Sequence, residues 1–412
     1  MSSSCAWISA REAAARLDVK LATLYAYASR GLIESVPAAG GRGRRYAHEA
    51  VERLKARHDA RAGHAAVAAG ALRFGEPTLE TSISEIRSDG PYYRGLSAIA
   101  LADGQTTFEA VCDLLWQGQL SDGAWPYRKL HVALPRWRRE SAPSAVLAAA
   151  VACAALGDPE RHAASDAEEH LRARRLLHWL IAQSGRAAGG ADRGMRSAQR
   201  VLVALGVRPT ERASVLIDRA LILCADHELN PSTFAARVTA STGADLYACL
   251  GSALHTLSGP RHGGVSARIE ALLHELAEPA ATARVVRARH ARGEQTPGFG
   301  HPLYPTGDPR GRVLMELAEL AAESAPAHTR ARVGLAMARV RALVTAMKRA
   351  QHPGPNFDLG LVALSQALGL PPGAPALLFA LGRLPGWVAH ALEQRAQGYL
   401  LRPRSRYVPA PG

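Results

Sequence analysis

Gly259-Pro260-Arg261-His262-Gly263-Gly264 is the stretch that decides how this 412-residue chain is read. Four of its six residues are glycine or proline, which end helices and allow close turns. The other two bring a guanidinium and an imidazole. On either side apolar residues recur at three- and four-residue spacing, as in Phe108, Val111, Leu114, Leu115 and again in Ala267, Leu272, Leu276, which is the period of packed helices. Similar inserts interrupt the helical pattern elsewhere: Asp226-His227-Glu228-Leu229-Asn230, Gly298-Phe299-Gly300-His301, Asp308-Pro309-Arg310, Asn356-Phe357-Asp358, Gly382-Arg383 and Leu401-Arg402-Pro403-Arg404. Loops that carry imidazoles, a carboxylate and guanidinium forks on a helical scaffold are where chemistry is placed. No run of alternating strands stands out from Glu76 onward, so that region reads as all-α.

Composition sets the limits. The chain exceeds one ordinary domain, and 48% hydrophobic residues suffice for a large core. Only 5% are aromatic, so the core is built from Ala, Leu and Val, whose small side chains let helices approach closely. Net charge is +14, yet only four of the 50 basic residues are lysines (Lys20, Lys55, Lys129, Lys348) and the arginines are spread over the whole chain. Much of that charge is compositional bias, with arginines for anionic substrates adding to it. The five cysteines are scattered, with no CxxC pair, which implies reduced thiols in a cytoplasmic protein and no zinc cluster. His227-Glu228 opens like a zinc-protease motif, but Pro231 stands where the second histidine must be. No metal is therefore expected. The longest apolar run, 145–156, falls far short of the ~20 residues of a membrane helix and reads as a buried one.

Residues 1–62 read as a separate module. Ser9-Ala10-Arg11-Glu12 is a capping box. It opens a helix over 10–17, followed by a turn at Asp18-Val19-Lys20 and a second helix over 21–30 stopped by Gly31. Then Gly40-Gly41-Arg42-Gly43-Arg44-Arg45-Tyr46 reads as a glycine-rich hairpin tip suited to a phosphate backbone. Residues 1–66 hold eleven Lys and Arg against six Asp and Glu, a large share of the positive charge for a sixth of the chain. With Ala22-Thr23-Leu24-Tyr25-Ala26-Tyr27 and Arg30-Gly31-Leu32-Ile33, the stretch resembles the winged helix-turn-helix of mercury-resistance regulators and excisionases. The resemblance implies DNA binding, with Thr23, Tyr25 and Tyr27 at base edges and Arg42, Arg44 and Arg45 at phosphates. The alternative is a helical appendage used for protein contacts. Residues 63–75 read as a linker.

From about Glu76 the order and wording of the inserts resemble citrate synthase. Glu80-Thr81-Ser82-Ile83-Ser84-Glu85-Ile86, Tyr93-Arg94-Gly95 and Leu114-Leu115-Trp116-Gln117-Gly118 belong to the same likeness. It implies an all-α two-domain fold, with a large domain over 76–262 and 373–412, a small domain over 263–372, and a cleft between them. It also implies a Claisen-type condensation of acetyl-CoA with oxaloacetate and then thioester hydrolysis. That chemistry needs a carboxylate base, for which Asp358 is the candidate. It needs a donor to the enol oxygen, His262, preferably neutral and helped by the helix that follows Gly263-Gly264. The oxaloacetate ketone needs a third group, His301. Guanidinium forks suit two carboxylates, and Arg310, Arg383 and Arg402 match the family's arginines by their motifs. In the family the last of these comes from the partner of a homodimer. His227 is a further substrate-binding candidate. Gly298, Phe299, Gly300 and Asn356 are placed at the coenzyme, which is a co-substrate and not a bound cofactor.

Two departures stand out. His301 is followed by Pro302, where the family commonly has a basic or small residue. Asn356-Phe357-Asp358-Leu359-Gly360 differs from the family's wall behind the base. Three readings follow: a citrate synthase, a 2-methylcitrate synthase using propionyl-CoA, or a DNA-binding regulator that uses the fold to sense a metabolite.

Overall fold

The computed structural model describes residues 7–17, 19–37, 43–48, 50, 51, 54, 55, 79–121, 125, 130, 132, 134, 135, 142–162, 165–184, 194–403, 405 and 407. The chain divides into two compact units, Met1–Glu80 and Thr81–Gly412.

In the N-terminal unit, β1 (Trp7–Ser9) leads into α1 (Ala10–Leu17) and α2 (Leu21–Ser29). Strands β2 (Ser35–Pro37) and β3 (Arg44–Ala47) follow, and β3 lies antiparallel between β1 and β2. The Ser9 hydroxyl accepts from the Glu12 amide at 3.2 Å, while the Glu12 carboxylate takes Arg16 at 3.0 Å, one turn on. Gly31, at φ +69°, closes α2 as a left-handed C′ residue: its N–H reaches Ala28 O at 3.1 Å and Leu32 N–H reaches Tyr27 O at 2.9 Å. Leu17, Leu24, Ile33, Tyr46 and Val51 fill a small core of its own. Residues 38–42 of the hairpin, Arg42 among them, lie outside the described residues.

The C-terminal unit opens with a three-stranded antiparallel meander, β4 (Ser84–Arg87), β5 (Gly90–Tyr93) and β6 (Leu96–Ser97). This corrects the strand-free reading of the region. Strands of four, four and two residues are too short for an alternating pattern to show, and positive-φ turns at Gly90, Arg94 and Gly95 break them further.

Helices make up the rest: α3 (Ala98–Leu101), α4 (Phe108–Gln117), α5 (Pro143–Leu156), α6 (Asp166–Gln183), α7 (Ser197–Ala204), α8 (Glu211–Cys224), α9 (Pro231–Ser241), α10 (Leu246–Leu257), α11 (Val265–Glu275), α12 (Thr282–Ala291), α13 (Pro309–Glu323), α14 (Ala327–Arg349), α15 (Phe357–Ala367) and α16 (Ala374–Gln397). Among the described residues no helix is long and apolar enough to cross a membrane.

Helix α16 is the axis of this unit and is buried on nearly every side. A Cβ at Gly386 would stand 2.4 Å from Ala225 O and 2.3 Å from Asp226 Oδ1, so the end of α8 rests on bare α16 backbone. Pro385 lacks an N–H and interrupts the helical ladder there, and Gly386 donates instead to Ala225 O at 3.1 Å. That close approach brings the loop after α8, with its histidine, to the arginine on α16.

Candidate active site

The three candidate histidines and Asp358 sit where one helix ends and another begins, while Arg383 lies inside α16. His227 follows α8, and Asn230 caps α9 by accepting from the Ser232 and Thr233 amides at 3.1 and 3.2 Å. His262 lies between α10 and α11. His301 lies in the loop before α13, and Asp358 in the first turn of α15. The loops holding the last two are stitched together: Asn356 N–H donates to Gly298 O at 2.9 Å and Gly300 N–H to Gly354 O at 3.1 Å. Gly298 has φ +93°, and a Cβ there would come within 2.9 Å of Leu359 Cβ, so only glycine lets the loop lie against α15. The Asn356 amide is spent on this joint, accepting from the Asp358 and Leu359 amides and donating to Gly300 O at 3.2 Å. Phe299, half-buried, bridges Pro355 across the stitch.

Two arginines organise the charge. Arg310 is buried, and Asp308 holds it from both sides, with Nε to Oδ1 at 3.0 Å and Nη2 to Oδ2 at 2.8 Å. Burial pushes the Asp308 carboxyl up, but Arg310 overrides it and holds the group below its usual range. Oδ2 also accepts Phe357 N–H at 3.1 Å, which locks α13 to the start of α15. Arg383 is 1% exposed and donates through Nε to Cys224 O. Among the described residues no carboxylate forms an ion pair with it. Burial lowers its pKa, so an anion bound there would remove a real cost.

The imidazoles are kept neutral. Burial, then Arg383, brings His262 to about 4; burial, then Arg310, brings His301 to about 4; His227 is driven well below its ordinary value by burial, Arg310 and Arg383. Leu303 N–H donates to His301 Nδ1 at 3.2 Å, which puts that ring's proton on Nε2. His262 Nε2 lies 2.8 Å from Ser232 Oγ, which also accepts Trp387 Nε1–H at 3.1 Å. The serine's one hydrogen goes to Asn230 Oδ1 at 2.7 Å, which also accepts the Ser232 and Thr233 amides. His227 Nε2 lies 3.0 Å from Tyr304 Oη, and its ring centre is 5.2 Å from that of His301.

Asp358 has the opposite problem. Burial raises its pKa to about 7 against the pull of Arg310 and Arg383. Its Oδ1 is buried with no hydrogen-bond partner. A helix N-terminus favours the ionised form, yet desolvation wins, leaving a carboxylate poised to take a proton near neutral pH.

Aromatic contacts tie the parts together. Phe379 lies 5.8 Å from His262 and 5.1 Å from Phe357 between ring centres, with the Arg383 guanidinium 5.0 Å over its own ring. The structure thus gathers His227, His262, His301, Asp358, Arg310 and Arg383 around one field. Arg402 is not among them; it is exposed on the tail after α16. Tyr304, Asp308, Ser232 and Trp387 escaped sequence reasoning, since their contacts reach across 77 residues for Tyr304–His227 and 155 for Trp387–Ser232. Only Asp308 carried a signal, as the N-cap beside Pro309. Among the described residues no group of three His, Cys, Asp or Glu could hold a metal ion.

In the N-terminal unit, Tyr25 projects from α2 at 51% exposure, Thr23 is half-buried, and Tyr27 packs against the small core. Arg44 and Arg45 are exposed, and Arg44 is tied to Ser35 Oγ at 2.9 Å.

Residues 73–404 match the family model described as citrate synthase, C-terminal domain, and residues 8–61 match that of the MerR HTH family regulatory protein. Citrate synthase 2 of Bacillus subtilis (strain 168) is 30% identical over 352 residues, which are 79% of this chain and 92% of that protein. The 2-methylcitrate synthase of Shewanella oneidensis is 30% identical over 364 residues, 82% of this chain and 94% of that protein. The citrate synthase structure from Thermotoga maritima MSB8 superposes with a TM-score of 0.65 at 25% identity, covering 82% of this chain and 95% of that one. The Thermoplasma acidophilum citrate synthase, solved with carboxymethyl coenzyme A and oxaloacetate, shares the fold at a TM-score of 0.67 and 24% identity, covering 82% and 95%.

Proposed function

The chain belongs to the citrate synthase family of acyltransferases, which condense acetyl-CoA with oxaloacetate, and from that premise we propose how its own residues divide the work. The reading rests above all on Asp358, a carboxyl with a buried, unpartnered oxygen and a pKa pushed up to about 7, which shares Arg383 and Arg310 with two neutral imidazoles.

Asp358 takes a proton from the carbon next to the thioester. The C–H electron pair moves onto the thioester oxygen, where the neutral His262 imidazole meets the enolate. The enolate carbon then attacks the oxaloacetate ketone, a C–C bond forms, and the ketone oxygen, becoming an alkoxide, receives the His301 Nε2 proton. Water finally splits the thioester and releases the CoA thiol. Arg310, Arg383 and His227 hold the two carboxylates. Arg402, exposed on its tail, is lent to the neighbouring copy of a homodimer. Gly298 to Gly300 approach the coenzyme, with Asn356 holding that loop in place. The body over 263–372 closes on the one over 76–262 and 373–412 to shut out water.

Acetyl-CoA would make this the citrate-forming step of the tricarboxylic acid cycle in the cytoplasm; propionyl-CoA would give 2-methylcitrate. Thiol release with oxaloacetate and each acyl-CoA decides between them. Asp358→Ala should cost on the order of 10³-fold in kcat. A folded native chain that releases no thiol from either would rule the enzyme out and leave a metabolite sensor.

A second activity is favoured by the N-terminal unit, which holds Tyr25, Arg44 and Arg45 in water on a helix-turn-helix plan. It predicts salt-sensitive binding to DNA spanning the chain's own promoter, lost when residues 1–66 are removed. Equal binding by the shortened chain would refute it.

A further inference from the structure

Behind the substrate histidine lies a closed ring of polar groups, buried at Arg237, His390, Asp226 and Ser84 and open to the surface at Ser82. It starts at Ser82, whose amide and hydroxyl donate to Glu393 Oε1 at 2.8 and 3.0 Å. Glu393 Oε2 accepts Arg237 Nη1–H at 2.8 Å. Arg237 is 0% exposed and also donates to Gln394 Oε1 at 2.9 Å and Gln397 Oε1 at 2.7 Å. Its Nη1 lies 3.3 Å from His390 Nδ1. Arginine can only donate, so Nδ1 is the acceptor, and the His390 hydrogen sits on Nε2, 3.4 Å from Asp226 Oδ2. The same Asp226 oxygen accepts the Ser84 hydroxyl and, at 3.0 Å, the Glu228 amide. Ser84 is two residues from Ser82, so the ring closes.

His227 stands between the ring's last two anchors. Asp226 precedes it; Glu228 follows it, at φ +54°, a left-handed conformation that a non-glycine residue adopts at a cost. That conformation persists because Asp226 Oδ2 and Ser84 Oγ both hold the Glu228 amide. None of Glu393, Arg237 and His390 touches the candidate imidazole itself. The reaction as described makes no use of them, yet a fully buried arginine with this many fixed partners orients everything bonded to it.

We propose that Glu393, Arg237 and His390 are positioning residues for His227, fixing the backbone of Asp226 to Glu228 so that the imidazole is already aimed at a substrate carboxylate. The proposal rests on the reading of His227 as an oxaloacetate-binding group. Because Ser82 and Ser84 are members of the ring, a dicarboxylate held at His227 also tightens strand β4, at the start of the C-terminal unit.

The test uses the full-length chain and Glu393→Gln, which keeps the side chain's shape and removes the charge facing Arg237; Arg237→Met is the harsher companion. Oxaloacetate affinity is read by titration calorimetry, and KM for oxaloacetate and for acetyl-CoA separately. Oxaloacetate Kd and KM should rise about tenfold in Glu393→Gln, since misplacing a binding group by a fraction of an ångström is enough. KM for acetyl-CoA should stay within about twofold. Hydrogen exchange at the Ser82 amide should slow with oxaloacetate in the native chain and not in the variant. A folded Glu393→Gln chain with native oxaloacetate affinity overturns the proposal, as does an equal rise in both KM values. If Arg237→Met does not fold, Glu393→Gln decides alone. A native chain that binds no oxaloacetate brings down the parent reading instead.

Discussion

The two units place their functional groups on opposite sides of the water boundary. Arg44 and Arg45 of the N-terminal unit are exposed, and Tyr25 is 51% exposed; Arg310 and Arg383 of the C-terminal unit are 3% and 1% exposed. The contrast suits the two tasks proposed for them. A polyanion such as DNA is gripped by exposed charges that release its counterions, and such charges need no altered acidity. Proton transfer needs groups whose affinities for a proton have been moved. Burial does that here, taking two imidazoles down to about 4 and one carboxyl up to about 7.

The sharpest way to break the contrast is to remove a buried donor. His301→Ala should lower kcat on the order of 10²–10³-fold, because the alkoxide loses a preorganised hydrogen. A drop below about tenfold in a folded variant would mean that His301 is not the ketone's donor. Next comes a stability effect of the opposite sign. Asp358 has a raised folded-state pKa, so the folded chain holds this proton more tightly than the unfolded one. Its ionisation costs nothing below the unfolded value near 4 and costs most above 7. Asp358→Asn should therefore raise Tm at pH 8 by roughly 3–6 °C, with the gain fading between pH 7 and 4. A lower Tm for the variant at pH 8 would show that the carboxylate is well solvated. The smallest effect belongs to the exposed unit: Ser9→Ala, which removes the oxygen that caps α1, should cost that unit about 1 kcal/mol by scanning calorimetry, and leave thiol release unchanged.

What could be read from the sequence follows the same division. In the N-terminal unit the signals were local. Ser9 caps α1 three residues ahead, and Gly31 ends α2, where a left-handed residue was needed. In the C-terminal unit the glycine- and proline-rich inserts marked the site because helices must end for polar groups to turn inward. The small sheet was missed because Gly90 and Gly95 cut it into pieces shorter than one period of evidence. Tyr304, Ser232, Trp387 and the Glu393–Arg237–His390 set were missed for another reason. The contacts that bring them to the site reach 30 to 311 residues along the chain, and no spacing rule spans that distance. Asn356 caps α15 and donates to Gly300 O, a structural part that its place in the insert does not announce.

The proposed chemistry turns on a desolvated carboxylate, Asp358, acting as base. Its most direct test is kcat/KM for the acyl-CoA measured between pH 5.5 and 8.5 at saturating oxaloacetate. The profile should rise about tenfold per pH unit on the acid side and level off near pH 7, as Asp358 in the oxaloacetate-bound enzyme loses its proton. A profile flat down to pH 5.5 would put the base's pKa in the ordinary carboxylate range and contradict the role given to burial.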